Sequence, residues 1–247
     1  MIIATQHKSH KLTLQNMNIQ SKYLDDVCLL RILLILILVL YHSFAIHNGA
    51  WEIPVGYQTI PVYGLIADFS YSFFLEAFTF ISGLLLGYSV LKKGDESINF
   101  KNCFIKKAKR LLLPCIFFSI IYYILFYDLS RPITEIIYTI LCGTGHLWFL
   151  PMLFWCFVAV YIIEKIHLPN KIAFALAIIA TICSFVPLPL RLTNTMHYFL
   201  FFYTGYYIMR NQIDLKQFIS IRAITILAVV FVAFFIISLQ IDKIWGA

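Results

Sequence analysis

The sequence predicts an all-α protein, a polytopic transmembrane helix bundle of about seven spans. Three observations predict it. Of 247 residues, 61% are hydrophobic and only 13% charged, with a mean hydropathy of +0.85. Soluble domains lie nearer half apolar and a quarter charged, so the bilayer must act as solvent for much of this chain. The apolar residues also gather into runs, most near the roughly 17–25 residues that a helix needs to cross a bilayer. Finally, a backbone in lipid must satisfy its own hydrogen bonds, and the runs lack the polar–apolar alternation of barrel strands.

The first run covers 28–46. The segment before it is polar, too long and mixed for a signal-peptide n-region, and no small-residue cleavage site follows the run. It therefore reads as a retained anchor. The second run, 66–90, holds a polar or small stripe of Ser72, Glu76, Thr79 and Gly83. Gly83 and Gly87 form a GxxxG pair, usually a packing device. The third, 111–127, follows a basic loop at 101–110. The fourth, 147–163, follows Gly143-Thr144-Gly145-His146. The fifth and sixth cover 172–188 and 197–209; the sixth is the shortest, and a re-entrant sixth run would move everything after it to the other side. The seventh is 223–240. Trp51, Trp148, Tyr63 and Tyr71 near run ends suit an interfacial aromatic belt. No repeat or linker divides the chain, so 1–247 reads as a single domain with a cytoplasmic tail at about 1–22.

The balance of 19 basic and 12 acidic residues gives +7. No basic–aromatic alternation points to nucleic acid, and loop topology accounts for the charge. Lys8, Lys11 and Lys22, the 92–110 cluster of seven, Lys165, Lys171, Arg210, Lys216 and Arg222 fall on one side; Arg131, Arg191 and Lys243 fall on the other. Lys and Arg collect in cytoplasmic loops, which puts the N-terminus in the cytoplasm and, after seven crossings, the C-terminus outside. The six cysteines have no CxxC or zinc-ligand spacing, so neither a disulfide framework nor a metal is expected.

Ionisable residues inside a span are costly and usually have a function or a partner. Arg31, His42 and Glu76 are the candidates. Arg31 and His42 are eleven residues apart, about three turns, so they share a face at roughly 16 Å separation along the axis. Each has a plainer alternative: Arg31 as a snorkelling side chain, His42 and Glu76 as groups hydrogen-bonded within the bundle. The basic run Lys106-Lys107-Ala108-Lys109-Arg110 is either a topology signal or a polyanion site such as a nucleotide phosphate would fill. His146 faces a water-filled vestibule, caps a helix or is an ordinary interfacial residue.

Four motifs in order resemble the membrane-bound acyltransferase-3 family, which includes bacterial O-acetyltransferases of surface polysaccharides. They are Arg31-x10-His42-Ser43, Phe80-Ile81-Ser82-Gly83-Leu84-Leu85, Lys107-x-x-Arg110-Leu111-Leu112-Leu113-Pro114, and His146-Leu147-Trp148-Phe149-Leu150-Pro151. The Phe201–Tyr206 run resembles a later family helix less distinctively. Two departures are visible. Lys107 stands where the family usually has the first of two arginines, which loses bidentate phosphate geometry. The acid expected before the first basic residue is displaced, with Cys28 near its place and Asp25 and Asp26 upstream.

The resemblance implies transfer of an acyl group, most often acetyl, from cytoplasmic acyl-CoA to a hydroxyl of an extracytoplasmic cell-surface glycan, polysaccharide or lipid-linked. The protein would lie in a bacterial cytoplasmic (inner) membrane. His42 would be the general base and Glu76 its partner, Arg31, Lys107 and Arg110 would hold the CoA phosphates, and Ser82 and His146 would contact the acceptor. No metal and no nucleic acid are implied. Family members usually have about ten membrane helices, so seven runs imply a truncated form of that fold, and an inactive truncated relative is one alternative. The other is a transporter or proton relay using His42 and Glu76, against which no paired repeat with broken helices is seen.

Overall fold

The computed structural model describes residues 25–94, 98–214 and 220–245, with side chains through residue 240. The expected cytoplasmic tail at about 1–22 lies outside the described residues. Those residues form helices and connecting turns, with no strand among them. The protein is a polytopic helical membrane bundle. Among the described residues, five helical segments are long and apolar enough to cross a membrane: Asp25–Phe44 (α1), Pro61–Lys93 (α2), Lys101–Phe126, Gly145–Lys165, and Ile221–Gln240. The third ends in α3 (Leu113–Phe126), the fourth in α5 (Phe149–Lys165), and the fifth belongs to α8 (Ile221–Trp245).

The remaining expected runs form α6 (Asn170–Ile182) and α7 (Leu192–Arg210). α6 stops short of the expected 188 because Pro187 and Pro189 follow, and a residue before proline avoids the helical region. α7 has 19 residues, roughly 28 Å of rise and enough for a hydrocarbon core. It is less apolar than the five because Thr193, Asn194, Thr195, His197 and four tyrosines interrupt it.

Two elements correct the sequence reading. α4 (Ile133–Cys142) is a helix of 10 residues inside what reads as a loop. At roughly 15 Å it is too short to register as a span. The basic segment at 101–110, expected as a loop, is helical too. It runs as π-helix over Lys101–Lys106 and Ala108–Leu112 before α3 begins. Its apolar residues explain this: Cys103 is buried, and the Phe104 ring packs 5.3 Å from Phe154 of α5. The wide turns end just before Pro114, which has no N–H to continue the ladder.

The helices group into two compact units. The first contains α1, the 45–60 connection, α2 as far as Phe78, and α8. Phe69 of α2 meets Phe231 and Phe235 of α8 edge-on at 5.8 and 5.3 Å. Phe44 stacks on Tyr63 at 4.7 Å. α1 and α8 leave side chains such as Leu36 and Phe234 uncovered by protein (60% and 68% exposed), as lipid-facing helices do.

The second unit runs from Thr79 of α2 through α7. Its core is α7, whose Phe202, Tyr203 and Tyr206 are fully buried. α2 packs on α7 backbone to backbone. A Cβ on Gly83 would overlap the Phe202 carbonyl, one on Gly205 would overlap the Phe80 carbonyl, and one on Gly87 would lie 2.7 Å from the Tyr206 carbonyl. The GxxxG pair is thus a close-approach seam.

Candidate active site

The first unit holds Arg31, His42 and Glu76; the second holds Ser82, Lys107, Arg110 and His146. On α1, Val27, Leu34 and Ala45 form the buried stripe. Arg31 and His42 sit about 40–60° and 60–80° around the helix from that stripe, at 3.6 residues per turn. His42 is half-buried and Arg31 exposed. The shared face expected from the sequence is therefore present, beside the face that packs.

His42 Nδ1 lies 2.8 Å from the Leu38 carbonyl oxygen. A carbonyl only accepts, so Nδ1 donates, and in the neutral ring the lone pair sits on Nε2. Tyr41 and Trp51 flank the ring edge-on at 5.1 and 5.8 Å. The neighbouring Ser43 hydroxyl donates to the Val39 carbonyl at 2.8 Å, which satisfies it within the helix.

Glu76 is partly covered, and its Oε2 is buried without a hydrogen-bond partner among the described residues. Buried carboxyl oxygens rarely stay unpaired unless a function or a bound group uses them.

Sequence reasoning missed a polar group in the same unit. The Ile60 N–H donates to His47 Nδ1 at 3.0 Å, so Nε2 of the neutral ring carries the proton and meets the Tyr57 hydroxyl oxygen at 3.3 Å. Asn48 Nδ2 donates to Asp68 Oδ1 at 2.8 Å. The signal for Asp68 was available, as an acid inside the second apolar run.

In the second unit, the turn before α5 is built by backbone constraint. Gly143 and Gly145 have φ of 78° and 53°. A Cβ on Gly143 would lie 2.7 Å from the Leu147 carbonyl. The Thr144 N–H donates to Ser119 Oγ at 3.1 Å, and the Thr144 hydroxyl donates to the Ser119 carbonyl at 3.3 Å. Arg191, itself left-handed with φ of 63°, donates from Nε to the Cys142 carbonyl at 2.9 Å and from Nη2 to the Gly143 carbonyl at 3.3 Å. These bonds satisfy carbonyls at the end of α4. The turn presents His146 at the surface, its ring perpendicular to Tyr122 at 5.9 Å.

Lys107 and Arg110 part company on the π-helical segment. Lys107 Nζ lies 3.8 Å over the Phe157 ring, a cation–π contact, whereas Arg110 is exposed. Ser82 is half-buried on α2 beside the Gly83 seam. Elsewhere in this unit, Arg210 pairs with Glu164 at 3.1 Å, and the Tyr206 hydroxyl donates to Glu164 Oε1 at 2.8 Å. This ties the end of α7 to the end of α5.

A family model described as an acyltransferase domain, the acyltransferase-3 model, matches residues 22–244. The chain belongs to the acyltransferase-3 family. No curated protein and no solved structure matches it. The match takes in all seven candidate residues and every described helix but the last residue of α8. This acyltransferase-3 protein is a multi-pass membrane acyltransferase, and family membership favours acyl transfer over the transport reading of His42 and Glu76. Within this acyltransferase, the geometry distinguishes the candidates. His42 has a defined tautomer, Glu76 a buried oxygen unpaired among the described residues, Arg110 and His146 exposed positions, and Lys107 an aromatic seat.

Proposed function

We propose that this acyltransferase moves an acyl group, most often acetyl, from cytoplasmic acyl-CoA to a hydroxyl of a cell-surface glycan outside a bacterial inner membrane. His42 is the general base. The observation that carries this reading is the hydrogen bond from His42 Nδ1 to the Leu38 carbonyl, because it leaves the lone pair of the neutral ring on Nε2. The N-terminus lies in the cytoplasm in this reading, from the positive-inside count.

The step follows from the chemistry of a thioester. His42 Nε2 takes the proton of the acceptor hydroxyl as its oxygen bonds to the thioester carbonyl carbon. The carbon–sulfur bond then breaks, and the departing CoA thiolate takes the proton back from the imidazolium. General base catalysis of this kind contributes typically about 10²–10⁴-fold. Glu76 Oε2, buried and unpaired, accepts a hydrogen bond from the acceptor side. Arg31, Lys107 and Arg110 bind the CoA phosphates through charge-assisted hydrogen bonds. Ser82 and His146 contact the acceptor.

Two substitutions test these roles. His42→Ala lowers transfer from labelled acetyl-CoA by about 100-fold or more while the protein still inserts. Arg110→Ala weakens acyl-CoA binding about tenfold, the loss of one charge-assisted bond to phosphate. Unchanged affinity in the second variant overturns the phosphate assignment.

A further inference from the structure

The first unit carries a set of groups around His42 that the acyl-transfer step does not use, and their unused hydrogen-bonding capacity is specific. Tyr41, Trp51 and Tyr71 form an aromatic wall: Tyr41 and Trp51 flank His42, and Tyr71 lies 5.1 Å from Tyr41. Tyrosine and tryptophan present an apolar ring and a polar tip that can hydrogen-bond a ligand. Here the Tyr41 and Tyr71 hydroxyls and the Trp51 indole N–H make no hydrogen bond with the described residues.

Asp68 is half committed. Its Oδ1 accepts from Asn48 at 2.8 Å, and its Oδ2 accepts nothing among the described residues. It lies close enough to Tyr41 to act on that hydroxyl electrostatically.

The arrangement is held in place. Asn48 Oδ1 accepts the Ala50 N–H at 3.2 Å while its amide nitrogen holds Asp68, and the Trp51 backbone N–H donates to the Ala45 carbonyl at 3.3 Å. Asn48 thus ties the loop that carries Trp51 to the helix that carries Asp68. Trp51 is 48% exposed, so its ring is available to a ligand.

Aromatic faces, donor tips and a carboxylate oxygen with spare capacity are what a polyhydroxylated ring requires. Its C–H faces lie against the aromatics, and its hydroxyls meet the polar tips. The charge selects further. Arg31 and Arg222 are the Lys or Arg side chains described in this unit. Arg31 is roughly 16 Å from His42 along α1, and Arg222 stands in the first turn of α8. An acidic sugar would meet Asp68 with no Lys or Arg close by among the described residues of this unit to offset the repulsion.

We infer that Trp51, Tyr41, Tyr71 and Asp68 form an acceptor subsite for a neutral pyranose beside His42, with Asn48 as its positioning residue. The use made of the bound sugar rests on the acyl-transfer reading above; the binding itself does not.

Calorimetric titration tests it, on protein in lipid nanodiscs to avoid glycoside detergents that would compete. The probes are purified neutral pyranose oligosaccharides, a uronate oligosaccharide of similar length, and acetyl-CoA. The wild type binds a neutral oligosaccharide, and Trp51→Ala and Asp68→Asn each weaken that binding by about tenfold or more. Trp51→Phe, which keeps a ring, loses less than Trp51→Ala. Acetyl-CoA affinity stays within about twofold in all three variants, which also shows that they are folded. Three results overturn the subsite: no neutral oligosaccharide binding by the wild type, unchanged binding by Trp51→Ala and Asp68→Asn, or equal binding of the uronate. Sugar binding without acyl transfer to that sugar leaves the subsite standing and sinks the proposed function instead.

Discussion

His42 and His47 are five residues apart and hold opposite tautomers. His42 donates from Nδ1 to a helix carbonyl, whereas His47 accepts at Nδ1 from the Ile60 amide. In the neutral rings, His42 therefore offers a lone pair at Nε2 and His47 a proton. Only the first suits the proposed base, so His42→Ala should lower transfer directly, whereas His47→Ala should act through the 45–60 connection. The spacing of Arg31 and His42 put them on one helix face, because 3.6-residue periodicity is readable in sequence. The tautomer was not readable, because it depends on which backbone oxygen the ring meets.

A second residue-scale expectation concerns Asp128, in the turn between α3 and α4. The Ser130 hydroxyl and N–H both donate to its carboxylate, at 2.7 and 2.9 Å, and hold it below the usual carboxylate range. The hydroxyl is the larger cause. A carboxyl depressed on folding adds stability that is present above its unfolded value and lost as pH falls through its folded one. Ser130→Ala should raise the Asp128 titration back toward the ordinary carboxylate range, read by carboxyl NMR; an unmoved titration contradicts the hydroxyl's role.

At the scale of elements, the seam between α2 and α7 sets how the second unit packs. Gly83 faces the Phe202 carbonyl more tightly than Gly87 faces the Tyr206 carbonyl. Gly83→Ala should therefore lower the thermal unfolding midpoint more than Gly87→Ala, with an overpacking cost of about 1–3 kcal/mol. Equal midpoints, or the reverse order, contradict the seam. The GxxxG spacing made this legible, since small residues four apart let backbones approach. The partner was not legible. Gly205 sits in a run of aromatics, and nothing in its spacing names α2. The π-helical segment escaped the sequence for a related reason. Seven basic residues between 92 and 110 read as solvated loop, while Cys103 and Phe104 supply the buried contacts that make it helix. Wide turns of this kind often mark functional positions; Arg110 lies in the second stretch and Lys107 between the two.

For the whole molecule, composition and run length sufficed for class. Among the described residues five helices meet the length and apolarity of a span, and each of the seven expected runs contains a helix, the fifth ending early at Ile182. α4 was hidden because a helix of 10 residues leaves no span-length signal. The family was legible from four short motifs, each weak alone, because their order along the helices is hard to reproduce by chance. The grouping of Trp51 with Asp68 was not: Asp68 shows as an acid inside an apolar run, but no periodicity links it to a residue of the 45–60 connection. Charge asymmetry carries the proposed orientation, with the donor below the membrane and the acceptor above.

The most direct test loads sealed inner-membrane vesicles with labelled acetyl-CoA on the cytoplasmic face and envelope glycan on the other. The wild type should label the glycan, and a His42→Ala protein inserted at the same level should fall to background. Undiminished labelling by His42→Ala would contradict the account.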